Sequence, residues 1–320
     1  MKQCKKLFIA TSNFGPIVTN QLQRLKAAAI EYVFNPYKKV LTTDQLIECL
    51  KDAPYLIAGT EKITENVFRK NPQLRIISRC GVGMDNIDIL AAKKYNVLIK
   101  TVASTPELAV AELTLALMLN LLRNVGQADA DIRSNAWNKY MGSLLTGKTV
   151  GILGFGKIGQ KIFALLTPFQ VNCLIYDLVE NLSVFPRREK QFLPLKEVLK
   201  RSDIVTIHLP YTTKTHYLID TAQLKLMKPT AVLINTSRGG IINEKALIES
   251  LTQGKIKGAA LDVFEQEPYQ GPLAKMKNVV LTAHMGSYTS ETRAIMEYEA
   301  MEGILEWVQV NQSNKDLKRG

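Results

Sequence analysis

The sequence predicts an α/β protein with two doubly wound parallel sheets, and three observations support this fold class. Short runs rich in Val, Ile and Leu alternate with amphipathic segments of helical length, which is typical of parallel strands covered by helices. These runs form two series, one on each side of a long apolar segment at 106–124. The chain has 320 residues, which is enough for two separate hydrophobic cores.

The first series of strands lies in the first hundred residues. Its apolar runs read KLFIATS, YLIAGT, LRIISRCG and NVLIKT, and helices are expected at 43–51 and 87–95. The long apolar segment follows, with Thr105 suited to the N-cap of a helix and Pro106 to its first turn. Because apolar residues surround most of its circumference, we expect this helix to be buried.

The second series of strands predicts another sheet over about 101–285. Its apolar runs read KTVGILGFG, NCLIYDL, IVTIHLP, AVLINTS, GAALDVF and NVVLTAH. Beyond it, Ser290 to Val310 has the pattern of an amphipathic helix. The polar tail from Asn311 is expected to fray.

The composition is that of a globular protein with a basic surface. Apolar residues make up 46% of the chain, charged residues 22%, and the formal net charge is +12. Lys and Arg are spread along the chain and do not interleave with aromatic residues in a stripe, so no nucleic-acid interface is predicted. The positive charge is interpreted as a solvated surface, with attraction of anionic substrates as the alternative.

Cysteine usage and hydropathy indicate a cytoplasmic protein without a metal centre and without a membrane partner. The four cysteines lack the spacing of zinc ligands and are expected to be free thiols in a reducing compartment. The apolar run at 7–10 is too short for a secretory signal. The stretch 108–122 is too short to span a bilayer and contains Glu112 and Asn120.

The most specific local motif is the glycine-rich sequence GFGKIG, which follows the apolar run 150–153. In a strand–turn–helix unit, the first glycine allows the tight turn, the second lets a pyrophosphate approach the backbone, and the third lets the helix pack on the strand. The N-terminus of the helix then faces the phosphates. The motif therefore predicts dinucleotide contacts from Gly154, Phe155, Gly156, Lys157, Ile158 and Gly159.

An acidic residue stands at the expected distance from the glycine motif. Asp177 ends the next predicted strand, 172–176, about twenty residues further on. A carboxylate there accepts hydrogen bonds from the adenosine ribose and repels a 2′-phosphate, so NAD is favoured over NADP. A tight turn followed by a surface aspartate is the alternative interpretation.

Polar residues follow four later strands of the second series where each strand ends. His208 follows IVTI, Arg238 follows AVLINTS, Asp262 ends GAALD, and His284 ends VVLTAH. Glu267 comes shortly after Asp262. Because the carboxyl ends of parallel strands meet at one edge of the sheet, we expect these side chains to lie around one crevice.

Three of these side chains form a set suited to the reduction of a ketone. Transfer of hydride to a carbonyl builds negative charge on its oxygen, and a protonated imidazole such as that of His284 can neutralise it. A neighbouring carboxylate such as Glu267 stabilises the imidazolium. The guanidinium of Arg238 can hold an α-carboxylate by two hydrogen bonds. Of the remaining histidines, His208 is expected to line the cofactor pocket and His216 to be exposed.

Taken together, the motifs resemble those of the D-isomer-specific 2-hydroxyacid dehydrogenases, and within that family most closely the phosphoglycerate dehydrogenases. The shared stretches cover nearly the whole chain and are SRCGVGMDNID (78–88), AVAELTLALML (109–119), LTGKTVGILGFGKIGQ (145–160), INTSRGGIINEKAL (234–247), GAALDVFEQEP (258–268) and LTAHMGS (281–287). Some phosphoglycerate enzymes have an arginine in the first domain that holds the phosphate, whereas the matching region here, 56–64, contains only Lys62 as a cation.

The resemblance implies roles for residues in both series. It implies a catalytic set of Arg238, Glu267 and His284. The cofactor contacts that it implies are those of the glycine motif together with Asp177, His208, Pro210, Thr236, Asp262 and Gly286. The substrate contacts that it implies come from Arg79, Cys80, Val82 and Gly83.

The resemblance also implies the domain organisation and the assembly. A Rossmann NAD-binding domain, 101–285, is inserted into a flavodoxin-like substrate domain made of 1–100 and 286–320. The implied enzyme is a homodimer that acts on a small anionic 2-hydroxy or 2-keto acid.

Several functions remain open within this prediction. The acid favoured first is 3-phosphoglycerate, with its ketone 3-phosphohydroxypyruvate, which would place the enzyme in serine biosynthesis. Reduction of glyoxylate or hydroxypyruvate is the alternative within the same class. A different class, the NAD(H)-sensing corepressors, uses the same fold and keeps the same polar set, so turnover of a keto acid discriminates it from the enzymes.

Overall fold

The computed structural model of the chain describes residues 5–12, 14–15, 19–104, 106–178 and 191–316. It divides into two compact units. The first unit consists of Met1–Thr105 and Thr289–Gly320, and the second of Pro106–Tyr288. The second unit therefore interrupts the first in sequence. The predicted boundaries, after residues 100 and 285, stay a prediction, as do the functional labels of the two domains.

The first unit contains a five-stranded parallel sheet. Its strands are β1 (Lys6–Ile9), β2 (Glu31–Phe34), β3 (Tyr55–Ala58), β4 (Ile76–Arg79) and β5 (Leu98–Thr101). Their spatial order is β2-β1-β3-β4-β5, and every neighbouring pair is parallel. This is the strand order of flavodoxin-like sheets.

Strand β2 is the element of this sheet that the sequence did not predict. It lies at the edge, and the side chains of Val33 and Phe34 are exposed. A strand that buries neither face needs no continuous apolar run, so the pattern that revealed its neighbours is absent from EYVF.

Helices cover both faces of this sheet. They are α1 (Thr19–Ala27), α2 (Thr43–Cys49), α3 (Glu65–Lys70), α4 (Ile89–Lys94) and the C-terminal helix α11 (Ser290–Asp316). Buried apolar side chains form one cluster on each face, and α11 contributes Met296, Met301 and Ile304 to one of them. The helix continues past Asn311, so the prediction of a frayed tail from that residue is wrong up to Asp316. The helical hydrogen bonding of the backbone continues beyond Val310, where the amphipathic pattern ends.

The second unit contains a six-stranded parallel sheet. Its strands are β6 (Thr149–Leu153), β7 (Asn172–Tyr176), β8 (Ile204–Ile207), β9 (Val232–Asn235), β10 (Gly258–Leu261) and β11 (Val279–Leu281), in the order β11-β10-β9-β8-β6-β7. An isolated parallel bridge joins Phe192 to Ile175 of β7 and extends the sheet at that edge. When the strands of this sheet are numbered in chain order from β6, with the bridge at Phe192 counted as the third, their spatial order is 3-2-1-4-5-6-7. The first six positions match the strand order of dinucleotide-binding folds.

The described residues of the second unit form the α-helices α5 (Glu107–Arg123), α6 (Val125–Arg133), α7 (Lys157–Leu166), α8 (Leu195–Arg201), α9 (Thr221–Leu224) and α10 (Glu244–Thr252). Helix α5 begins at Glu107, immediately after Pro106, and the predicted cap Thr105 lies outside the described residues. Its residues Ala111, Thr114 and Met118 are fully buried, which confirms a core helix. Within the described residues, no single helix has the length and apolar composition to cross a bilayer, and α5 together with α6 reaches them only across a 66° bend.

Two parallel sheets, each covered by helices, confirm the predicted fold class. The carboxyl ends of β6, β8, β9, β10 and β11 lie along one edge of the second sheet, because every neighbouring pair is parallel. The residues that the sequence analysis singled out in this unit follow those ends.

Candidate active site

The glycine motif forms a tight turn between β6 and α7. Gly154 has a φ of +99°, a conformation that favours glycine, and a β-carbon there would lie 2.6 Å from the carbonyl carbon of His208. At Gly159, a β-carbon would lie 2.1 Å from the carbonyl oxygen of Gly154. Both positions therefore require glycine for packing inside the protein.

Gly156 differs from its two neighbours in the motif. A β-carbon at Gly156 would meet no described protein atom within 4 Å, and α7 begins at the next residue, Lys157. The space in front of Gly156 thus lies at the N-terminus of a ten-residue helix, where backbone N–H groups and the helix dipole favour an anion. A pyrophosphate fits this arrangement.

Asp177 lies beside the turn, at the end of β7. Its Oδ2 accepts a hydrogen bond of 2.6 Å from the backbone N–H of Phe155. This bond places a carboxylate next to the turn, at the position where the ribose hydroxyls of a dinucleotide are bound in folds of this type.

His208 follows β8 on the other side of the turn. The side chain is 9% exposed, its Nε2 is 2.9 Å from Thr206 Oγ1, and its Nδ1 has no hydrogen-bond partner among the described residues. Burial lowers the pKa of His208 to about 3, so the ring is neutral at physiological pH. An imidazole of this kind serves as a hydrogen-bonding group and not as a proton donor.

The structure brings His284 and Glu267 together. His284 Nδ1 lies 2.7 Å from Glu267 Oε2, and about a third of each side chain is exposed. Glu267 Oε1 accepts a hydrogen bond of 3.1 Å from the N–H of Phe264. The carboxylate therefore fixes the ring orientation and leaves Nε2 as the nitrogen available to a ligand.

Asp262 holds the loop that carries His284. Its Oδ1 accepts hydrogen bonds from Thr282 Oγ1 at 2.7 Å and from Met285 N at 2.8 Å, and its Oδ2 accepts one from Gly286 N at 2.9 Å. The side chain is 1% exposed. The buried carboxylate therefore stabilises the loop through these hydrogen bonds. The direct contact of Asp262 with the cofactor stays a prediction.

The backbone of His284 is strained. Its φ is +50°, and the N–H of His284 donates to the carbonyl of Asp262 at 2.8 Å. Left-handed conformations of residues other than glycine cost of the order of 1–3 kcal/mol and concentrate at functional sites. The hydrogen bonds to Asp262 supply the constraint that maintains this conformation.

Arg238 follows β9, and its loop packs against the loop of Glu267. The carbonyl of Arg238 accepts a hydrogen bond from Asn235 Nδ2 at 2.8 Å, and its Nη1 donates to the carbonyl of Ser237 at 2.8 Å. A β-carbon at the next residue, Gly239, would lie 1.9 Å from the carbonyl carbon of Phe264. The contact between these two backbones places Arg238 at the same sheet edge as Glu267.

The remaining predicted cofactor residues of this unit lie along that edge. Thr236 is buried, and its Oγ1 lies 2.9 Å from Thr114 Oγ1. Pro210 is exposed, and its carbonyl accepts a hydrogen bond from Thr215 Oγ1. Gly286 is buried and bound to Asp262, as described above. His216 is exposed, as predicted, and its ring stacks on that of Tyr217 at 3.9 Å.

The predicted substrate residues belong to the first unit, where they follow β4. Val82 is exposed, whereas Cys80 is buried, and burial raises the pKa of its thiol to about 11. Arg79 is 7% exposed, and its Nη1 donates to the carbonyl of Cys80 at 2.7 Å. A β-carbon at Gly81 would lie 2.4 Å from that same Nη1. The guanidinium thus packs against the loop that ends at Gly83 and supports it.

Several buried polar residues at these two sheet edges were not predicted. Asn235 ends β9 and forms hydrogen bonds with both Arg238 and Ser237. Its position directly after the apolar run AVLI is the signal from which a role at this sheet edge could have been predicted. In the first unit, Arg293 and Glu297 form a buried ion pair of 2.7 Å on α11, at the i,i+4 spacing. Glu61, in the segment that follows β3, is also buried.

Comparison with known proteins identifies the family. The family model for the "D-isomer specific 2-hydroxyacid dehydrogenase, NAD binding domain" matches residues 115–286. The chain belongs to the D-isomer specific 2-hydroxyacid dehydrogenase family. The predictions of this family, of a dehydrogenase and of NAD as its cofactor are confirmed.

The relatives of this dehydrogenase differ in their substrates. It is 40% identical to a D-3-phosphoglycerate dehydrogenase of Methanocaldococcus jannaschii over 79% of this chain and 49% of that one, so it spans about half the length of that relative. It is 38% identical to a glyoxylate reductase of Pyrococcus furiosus over 81% of this chain and 80% of that one. The structure of a D-lactate dehydrogenase of Aquifex aeolicus, complexed with NAD and lactic acid, superposes with a TM-score of 0.79 at 28% identity and covers 96% of both chains.

Proposed function

We propose that this dehydrogenase interconverts a small 2-hydroxy acid and its 2-keto acid, with His284 as the group that exchanges a proton with the C2 oxygen. The observation that carries the proposal is the 2.7 Å contact of His284 with Glu267 in a strained loop at the same sheet edge as the glycine turn. NAD, when bound, accepts or supplies the hydride at C2. The other steps depend on side chains of this chain.

The proton step follows from the arrangement of the two side chains. During reduction of the ketone, His284 donates a proton from Nε2 to the oxygen that becomes the hydroxyl. Glu267 stabilises the imidazolium before that transfer and keeps the ring in place through Nδ1. During oxidation of the alcohol the neutral ring accepts the proton, and Glu267 then stabilises the charge that forms.

Substrate binding is assigned to positive charge and to backbone amides. Arg238 offers a planar guanidinium that can hold the carboxylate and polarise the adjacent carbonyl. The loop 80–83 of the first unit is proposed to bind the same carboxylate, with Arg79 supporting it from behind. The assignment of these two groups rests on the family resemblance.

The cofactor contacts are assigned to the residues around the glycine turn. The open space at Gly156 takes the pyrophosphate, and Asp177 accepts hydrogen bonds from the ribose. His208, Pro210, Thr236 and Gly286 are proposed to line the same site at the ends of β8, β9 and β11.

The identity of the acid is the finer part of the proposal. A D-3-phosphoglycerate dehydrogenase and a glyoxylate reductase are similar to this chain at nearly equal identity. Two substrate assignments are therefore proposed as alternatives: 3-phosphoglycerate, with a role in serine biosynthesis, and glyoxylate or hydroxypyruvate. Oxidation of NADH, followed at 340 nm with 3-phosphohydroxypyruvate, hydroxypyruvate, glyoxylate and pyruvate, tests the reaction and ranks the acids. Tight NADH binding without turnover of any of them would assign the chain to a sensing role.

A homodimer is proposed as the assembly. Within residues 125–144, which the structure describes completely, five large apolar side chains are more than half exposed: Val125, Ile132, Trp137, Met141 and Leu144. Exposed apolar surface of this extent is typical of protein interfaces. Sedimentation equilibrium tests the proposal, and the double variant Trp137→Asp, Met141→Asp is expected to be monomeric. A cytoplasmic location stays a prediction from the cysteine usage.

A further inference from the structure

Helix α10 is joined at its first residue to the segment that carries Glu267. The first backbone N–H groups of a helix have no partner within it. The cap Asn243 accepts two of them, and the N–H of Glu244 donates to Glu265 Oε1 at 3.0 Å. In return, Glu244 Oε1 accepts the N–H of Glu265 at 2.6 Å. Two reciprocal hydrogen bonds therefore hold the start of the helix against the segment 264–267.

Backbone packing fixes the same segment from another side. A β-carbon at Gly239 would lie 1.9 Å from the carbonyl carbon of Phe264 and 2.4 Å from the nitrogen of Glu265. The N–H of Phe264 then donates to Glu267 Oε1 at 3.1 Å. The position of the Glu267 carboxylate thus depends on a segment that Glu244 holds at the next residue along.

Glu244 also places a carboxyl group within electrostatic range of Glu267. Burial raises the pKa of the partly buried Glu244 carboxyl, the hydrogen bond from the Glu265 N–H opposes this by favouring the ionised form, and the charges of Glu265 and Glu267 raise it further. Coulombic interaction is mutual, so a charge on Glu244 makes the potential at Glu267 more negative. His284 Nδ1 lies 2.7 Å from Glu267 Oε2 and experiences the same potential.

The other groups around Glu244 leave its charge largely uncompensated. The hydroxyl of Tyr217 donates to Glu265 Oε2 at 3.2 Å, and burial raises the pKa of both Tyr217 and Tyr269, so both phenols are neutral at physiological pH. Lys245, the next residue of the helix, is exposed, and solvent weakens its effect.

Two charged groups lie near His284 besides Glu267. Asp262 is enclosed by the hydrogen bonds that hold the loop of His284, and Arg238 lies at the same sheet edge. Both are retained in every variant of Glu244, so a change in the titration of His284 between the variants reports the charge at residue 244.

We propose that Glu244 is a positioning residue of the proton-exchange pair, which holds the Glu267 segment by its hydrogen bond and stabilises the His284 imidazolium by its charge. The inference rests on the proposed function and adds to it a residue that acts through Glu267. Removal of the charge makes the imidazolium less stable, so the ring should release its proton at a lower pH.

The first variant, Glu244→Gln, separates charge from hydrogen bonding. Its amide oxygen can still accept the N–H of Glu265, but the negative charge is gone. The measurement is an NMR titration of the imidazole C–H signals of the free protein. The chain has three histidines, and His208→Asn and His216→Asn assign the signal of His284.

The expected result is a downward shift of the pH at which the His284 ring is half protonated, by about 0.3–1 unit, as for a charge several ångströms away in a medium of intermediate dielectric constant. The high-pH limb of kcat/KM for ketone reduction should move down equally, measured with whichever of the four keto acids is turned over fastest. Glu249→Gln is the matched control, because it removes the same charge from an exposed position of the same helix. It should leave both midpoints unchanged.

The second variant, Glu244→Asp, makes the opposite change. It keeps the charge, while the shorter side chain no longer reaches the N–H of Glu265. The half-protonation pH of His284 should stay near that of the wild type, and kcat should fall roughly 3- to 10-fold with the Kd of NADH unchanged, which is the usual effect of one lost hydrogen bond. If this variant does not fold, the titration of Glu244→Gln decides alone.

The outcomes separate this inference from the function on which it rests. An unshifted His284 titration in Glu244→Gln overturns the inference, and so does an equal loss of kcat in both variants without a shift, because a structural role alone explains it. A shift in the free protein without turnover of any keto acid refutes the proposed function and leaves the coupling of Glu244 to His284 established.

Discussion

Glu267 binds His284 through one carboxylate oxygen and its own loop through the other. Oε2 lies 2.7 Å from His284 Nδ1, and Oε1 accepts the N–H of Phe264 at 3.1 Å. The carboxylate is therefore positioned before any substrate is present, and the imidazole with it. Catalytic groups gain most from such preorganisation, because no reorientation is needed when charge develops.

Replacement of His284 tests the proton step directly. His284→Ala should lower kcat for ketone reduction roughly 10²- to 10⁴-fold, the usual range for loss of a positioned acid, while the Kd of NADH changes little. The measurement is steady-state kinetics together with fluorescence titration of NADH. His216→Ala, which removes an exposed histidine of the same unit, is the control. Wild-type turnover in His284→Ala would remove this residue from the mechanism.

Replacement of Asp262 tests how far the strained loop matters. In Asp262→Asn, an amide NH₂ group replaces one carboxylate oxygen. In the position of Oδ2 it cannot accept the N–H of Gly286, so that buried donor loses its acceptor. The free energy of unfolding should fall by about 1–3 kcal/mol, and kcat should fall more than the affinity for NADH. Urea unfolding and kinetics on the same samples measure the two effects.

The control for Asp262→Asn is Asp203→Asn. Asp203 precedes β8, at the opposite edge of the sheet, where it accepts the N–H of Thr149 at 2.9 Å and binds Lys228 at 2.8 Å. This variant should lose stability and keep its kcat. If both variants lose kcat in proportion to stability, the special role of Asp262 is disproved.

Two glycines of the motif, Gly156 and Gly159, should respond differently to alanine. Gly156→Ala is expected to fold with an unchanged Tm, because no described atom obstructs its methyl group, and to raise the Kd of NADH roughly tenfold or more by occupying the pyrophosphate position. Gly159→Ala should lose about 1–3 kcal/mol or more through overpacking against Gly154. Differential scanning fluorimetry and NADH titration distinguish the two. Equal effects on Tm would contradict the assignment of Gly156.

The choice between NAD and NADP should depend on the charge of Asp177. Asp177→Asn retains an oxygen that can accept the N–H of Phe155, so the turn should be preserved, and it removes the charge that repels a 2′-phosphate. We expect the preference for NADH over NADPH in kcat/KM to decrease by roughly tenfold, since a like-charge contact costs several kcal/mol when close. An unchanged preference would mean that another group selects the cofactor.

The buried histidine predicts part of the acid sensitivity of the fold. Burial lowers the pKa of His208 to about 3, whereas an unfolded histidine titrates near 6.5. Between these values the unfolded state binds the proton and the folded state does not, so stability is complete above about pH 6.5 and is lost as the pH falls towards 3. Between pH 7.5 and 5, this contribution should lower Tm by roughly 5 °C.

The variant His208→Asn isolates this contribution. Its Tm should fall less between pH 7.5 and 5 than that of the wild type, whatever its absolute stability. His216→Asn, which changes an exposed ring, should retain the wild-type dependence. If His208→Asn follows the wild-type curve, the buried ring does not control the acid sensitivity.

Most of the fold could be read from local patterns. Buried parallel strands need continuous apolar runs, so the runs at β1, β3 and β4 and those of the second sheet predicted strands that the structure contains. Strand β7 has the predicted bounds, 172–176, because Asp177 marks its end. Strand β2 lacked such a pattern, since an edge strand is stabilised by its neighbour and not by burial.

The residue types of the candidate site could also be predicted from the sequence alone. An imidazole, a carboxylate and a guanidinium each follow a strand of one parallel sheet, and topology then places them at one edge. The pairing of His284 with Glu267 required the folded chain, because the two residues are seventeen positions apart and meet only through the loop that Asp262 holds.

Burial is the property that no local pattern revealed. Glu61 and Thr11 are fifty positions apart in the sequence. They follow different strands, and the sequence around each gives no sign that its side chain is buried. Packing of β1 beside β3 brings both to Gly59 and removes them from water. Apolar periodicity specifies which segments pack, whereas the solvation of a polar side chain depends on contacts distant in sequence, and those form only when the sheet is complete.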